Sequence, residues 1–97
     1  MNAEQKVQVN QERLKTLRAD KGLSIVGLEA AIATLYTQNR VKRKIGKSVL
    51  HRIETSDGKE VPFSQIQIIA LALGVEPDSL THSEFQQVRK IGLFKVK

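Results

Sequence analysis

Apolar residues recur at three- and four-residue steps in four stretches of this chain: Leu14 and Leu17; Leu28, Ala31, Ile32 and Leu35; Val49, Leu50 and Ile53; and Ile66, Ile69, Ala70 and Leu73. That period places one apolar stripe on each of four helices, and such stripes become stable only when buried against one another. Gly22, the run Thr55-Ser56-Asp57-Gly58, and Gly74 close three of the stretches with residues that end helices. At 97 residues and 40% hydrophobic content, the stripes suffice for one modest core and not for two.

Caps and stops set the expected boundaries. Residues 1–9 read as a polar, flexible segment, although Val9 and Leu14 are spaced for a hydrophobic staple around an Asn10 cap. The first helix is expected at about 11–21, with Lys21 near its C-terminal dipole end and Gly22 as a left-handed stop. Ser24 caps a second helix that runs to about Tyr36, and a short third helix spans about 46–55. Pro62 suits the first turn of a fourth, where a missing amide proton costs nothing. Pro77 opens a fifth from Asp78 to about Gln87, and the β-prone residues 88–97 read as a short strand. The expected architecture is all-α, with five helices in 10–87 followed by that strand.

Charge is unevenly spread over this frame. Between Tyr36 and Ile53 stand six cations (Arg40, Lys42, Arg43, Lys44, Lys47 and Arg52) and no acid, so this stretch holds the whole net charge of +6. A positive field concentrated on one part of a small domain is an electrostatic footprint for a polyanion. The four aromatic residues, Tyr36, Phe63, Phe85 and Phe94, are few for a module that stacks unpaired bases, so duplex DNA is the better match.

Other classes are disfavoured. There is no cysteine, and His51 and His82 lie too far apart in sequence to suggest a local metal site. The acids Glu54/Asp57 and Glu76/Asp78 are explained by cap and turn chemistry, no serine sits in a nucleophile elbow, and no glycine-rich phosphate loop is present. No catalytic residue, metal or cofactor is therefore expected, and His82 is assigned no role. The N-terminus has no apolar run of signal-peptide type and no segment approaches a membrane span, so a soluble, cytoplasmic, nucleoid-associated protein without a membrane partner is expected.

Three pieces, RLKTLRADKGLS, SVLHRIE and IIALALGVEPDSL, occur in an order and spacing that resembles the lambda-repressor/Cro-like helix-turn-helix family, also called the XRE family. The resemblance covers roughly Arg13 to Leu80. It implies that the third helix is a recognition helix in the major groove, with Lys47, Ser48, His51 and Arg52 toward base edges. Lysine and arginine donate to guanine O6 and N7, and serine serves several bases. It further implies a phosphate contact at Ser24, where the second helix begins, core positions at Leu50 and Ile53, and a structural role for Glu54.

Three positions depart from the pattern. The connector between the second and third helices is ordinarily a tight turn, whereas here residues 36–45 intervene with Arg40, Lys42, Arg43 and Lys44, expected on the phosphate backbone. Glu29 stands where the family usually has an alanine packed between those helices, and Ile25 replaces a usual polar residue. The resemblance implies a prokaryotic, phage or plasmid repressor of transcription, and with no effector region following, a small-molecule sensor is not expected. Ile91, Leu93, Phe94 and Val96 are expected to contact a second copy in a homodimer or another protein partner. Two alternatives stay open: an antitoxin that also binds a toxin protein, and an adaptor that binds an acidic protein instead of DNA.

Overall fold

The structure is a computed structural model that describes residues 5–55 and 60–81. In chain order it has β1 (Lys6–Gln8), α1 (Gln11–Asp20), α2 (Ile25–Thr37), α3 (Lys47–Thr55), β2 (Glu60–Pro62), α4 (Phe63–Leu73) and a one-turn 3-10 helix at Pro77–Leu80. The fold is mostly helical with a small two-stranded sheet. α3 packs on α1 and α2, and α4 packs on α2, β2 and the 3-10 helix.

The caps read from the sequence form. Asn10 accepts from the Arg13 N–H at 3.0 Å and Ser24 Oγ from the Gly27 N–H at 3.0 Å. The first helix ends where Gly22 takes φ +69°, with the Gly22 N–H donating to the Ala19 carbonyl and the Leu23 N–H to that of Arg18, a Schellman stop. Gly74, at φ +72°, closes α4 in the same way through the Ala70 and Leu71 carbonyls. The apolar stripes meet as their period demands. Leu14, Leu28, Ile32, Leu50, Ile66, Ile69 and Leu73 are all essentially inaccessible.

Four expectations are corrected or fall outside the described residues. The segment 1–9 is not a polar tail throughout: Lys6–Gln8 pairs antiparallel with Glu60–Pro62, with Val7 opposite Val61, and Val7 and Val9 are buried. Two valines alternating with polar neighbours are too short a signal to announce a strand whose partner lies more than fifty positions away. Pro62 ends β2 and precedes α4 instead of opening the helix. The fifth helix does not begin as an α-helix; after one 3-10 turn Thr81 is extended and bridges to Val9. The remainder of that helix, His82, the strand at 88–97, the contacts Ile91, Leu93, Phe94 and Val96, and the turn after Thr55 lie outside the described residues.

Candidate nucleic-acid interface

The short helix α3 has two unlike faces. Leu50 and Ile53 enter the core and Val49 is half-buried, while Lys47, Ser48, His51 and Arg52 are exposed. With 3.6 residues per turn, positions 47, 48, 51 and 52 form one continuous stripe. All four side chains expected at base edges thus share one solvent-facing surface.

Contacts at both ends of α3 hold that surface in place. Toward the C-terminus, Glu54 is 4% exposed and receives both Arg18 Nε at 2.6 Å and Arg18 Nη2 at 3.0 Å. Arg18 Nη1 also donates to the Leu23 carbonyl at 2.8 Å, so one guanidinium joins α1, the turn after it, and α3. Bidentate Arg–carboxylate pairing fixes orientation as well as distance. Gln11 Nε2 adds a bond to the Ile53 carbonyl at 3.2 Å. At the N-terminus, the Lys47 N–H donates to Glu29 Oε2 on α2 at 2.9 Å. The sequence alone assigns no role to Arg18 or Gln11 and marks Glu29 only as a departure from the family pattern. Only Glu29 carried a sequence signal, as the single acid of an otherwise uncharged, apolar helix.

The connector, residues 38–46, lies against the protein. Asn39 adopts φ +61°; its N–H donates to the Tyr36 carbonyl and the Arg40 N–H to that of Leu35, so α2 also ends in a Schellman stop, with asparagine where glycine is more usual. Ile45 is buried and Val41 packs on the core. Arg40, Lys42, Arg43 and Lys44 are exposed. Two of them are engaged within the protein: Arg43 Nη2 donates to Ser64 Oγ at 2.7 Å, and Lys44 Nζ lies 5.5 Å from the centre of the Tyr36 ring, a cation–π distance. Their partners belong to α4 and α2, not to α3.

The start of α2 adjoins the exposed stripe, because Ile25, Lys47, Ser48 and His51 line one shallow hollow. Ser24, expected at a phosphate, stands exposed beside it with its Oγ committed to the cap. On the other flank, Arg52 shares a groove of about 290 Å³ with Val49, Ile53, Val61, Pro62, Gln65 and Glu60. Glu60 places an acid near one of the cations expected at base edges. Among the described residues, no group of three His, Cys, Asp or Glu side chains is arranged to hold a metal ion, and no helix is long and apolar enough to cross a membrane.

Comparison with protein-family models, with curated proteins and with solved structures returns no match to this chain.

Proposed function

We propose that this protein binds duplex DNA sequence-specifically, with the exposed stripe of α3 against base edges in the major groove, and that it regulates transcription, as a repressor. The observation that carries this reading is the stripe Lys47, Ser48, His51 and Arg52, exposed together on a helix anchored at both ends. Base readout requires donors held in register, since a bidentate pair discriminates only when its geometry is fixed. The helix order and the three motifs that resemble the lambda-repressor/Cro-like family support the same assignment.

Arg40, Lys42, Arg43 and Lys44, all exposed, supply charge for the phosphate backbone beside the reading helix. Each phosphate neutralised adds about 0.9 to the slope of log affinity against log salt, so a stretch with six cations is expected to release roughly four to six counterions per protomer.

The test is selection from a random duplex pool, followed by anisotropy titration of the winners and of unselected DNA at two salt concentrations. The expected result is a preferred sequence bound at least about a thousandfold tighter than random duplex; a palindromic winner would also indicate two copies related by a two-fold axis. Salt-sensitive binding without preference would reduce α3 to a backbone contact. Absence of binding at low salt would overturn the reading in favour of an acidic protein partner.

A further inference from the structure

Glu29 is the only acid of α2, a helix with no cation, and it reaches across to another helix. Its Oε2 accepts from the Lys47 N–H at 2.9 Å, eighteen residues further along the chain. Lys47 is the first residue of α3, and its amide is among those that a helix cannot satisfy from within. The preceding residue ordinarily supplies the cap, but here it is Gly46, whose carbonyl receives the Leu50 N–H at 3.0 Å and which has no side chain to offer. A Cβ at Gly46 would come to 4.0 Å from the same carboxylate oxygen. The cap of α3 therefore comes from α2.

Two physical consequences follow. A tight turn fixes one helix against the next through the chain itself, whereas residues 38–46 are too long a connection for that; the Glu29 contact restores a direct hold where α3 begins. A carboxylate at the positive end of the helix dipole also satisfies it. Helix N-termini otherwise attract phosphate, and a negative group already seated there repels one.

We propose that Glu29 is the positioning residue of the reading helix. It sets the placement of α3 on α2 and denies the α3 N-terminus to the phosphate backbone, which leaves Lys47 and Ser48 free for base edges. This inference rests on the DNA-binding reading for its function, while the hold itself is independent of DNA.

The experiment compares the wild-type chain with Glu29→Gln and Glu29→Ala, each first confirmed as folded by circular dichroism. Two quantities are read: the Lys47 amide by nitrogen-15 NMR, and affinity for a selected duplex and for random duplex of equal length. Glu29→Ala is expected to shift the Lys47 amide, to speed its exchange with solvent, and to cut the preference for the selected duplex about two- to thirty-fold, with random-duplex affinity undiminished. Glu29→Gln retains an acceptor and loses the charge, so it should keep the preference and bind random duplex more tightly than wild type. An unchanged Lys47 amide in Glu29→Ala overturns the hold. Equal losses on both duplexes in both variants would make Glu29 merely structural and also overturn the proposal. If the wild-type chain binds no duplex, the DNA reading fails separately, and the amide measurement alone decides whether Glu29 holds α3.

Discussion

Glu54 illustrates how one side chain changes meaning once its surroundings are known. In the sequence it is an acid near the end of a basic helix, with no partner in view and a structural role only by resemblance; in the structure it is 4% exposed and gripped by Arg18, whose own side chain is 19% exposed. A buried carboxylate deprived of its cation is costly, because both its hydration and its partner are gone. Arg18→Ala is therefore expected to lower unfolding free energy by about 3 kcal/mol, the low end for a broken buried pair, whereas Arg18→Met with Glu54→Leu should come within about 1 kcal/mol of wild type. Denaturant titration of the two variants separates these outcomes; equal destabilisation would mean that the pair stabilises beyond what packing can replace. Arg52 has the opposite character, since it is exposed on the polar face of α3. Arg52→Ala should leave stability unchanged and reduce discrimination between selected and random duplex by about 1–3 kcal/mol; unchanged discrimination in anisotropy would remove Arg52 from base readout.

At the level of elements, the connector is the part that most resists a reading by pattern. Its charges read as an exposed loop, and they are exposed. What anchors it, the inward turn of Val41 and Ile45 and the left-handed Asn39, has no periodicity to announce it, because two apolar residues four apart in a basic run are equally consistent with a helix or a loop. Asparagine tolerates the left-handed region through its short polar side chain, while alanine does not. Asn39→Ala is expected to destabilise by about 1 kcal/mol and Asn39→Gly to be neutral or stabilising, as read from thermal unfolding; no difference between the two would show that α2 does not depend on this stop. Charge in the connector is separable from its anchoring. Arg40→Ala with Lys42→Ala should flatten the salt slope of DNA binding by about 2 without changing stability, whereas altering Arg43 or Lys44 would also disturb the contacts to Ser64 and Tyr36.

For the molecule as a whole, the unforeseen feature is the closure of its two distant parts by β1. Val7 pairs opposite Val61, Val9 bridges Thr81, and the Asn10 N–H donates to the Leu80 carbonyl at 2.8 Å, so the segment before α1 joins α4 and the 3-10 helix. Removing residues 1–9 should therefore cost about 3–6 kcal/mol, the burial of two valine side chains, and shift the urea midpoint accordingly. An unchanged midpoint would restore the view of this segment as a polar tail. In a chain of 97 residues a loss of that size is a large share of the total stability, so DNA affinity of the truncated chain would fall for all sequences alike.

The first four helices, the caps at Asn10 and Ser24, the stops at Gly22 and Gly74, and the polar stripe of α3 were legible in the sequence, because each depends on residues close together in the chain. Asn10, Ser24, Gly22 and Gly74 act on backbone groups in their own turn, and the 3.6-residue period alone separates Leu50 and Ile53 from Lys47, Ser48, His51 and Arg52. Tertiary structure alone decided which distant groups meet: Arg18 with Glu54, Glu29 with the Lys47 amide, Val7 with Val61. Contacts of that kind leave no local period in the sequence, since the charged partners would look equally at home facing water and a short valine segment does not name the strand it will pair with; each is defined only once the packed core has brought two elements together.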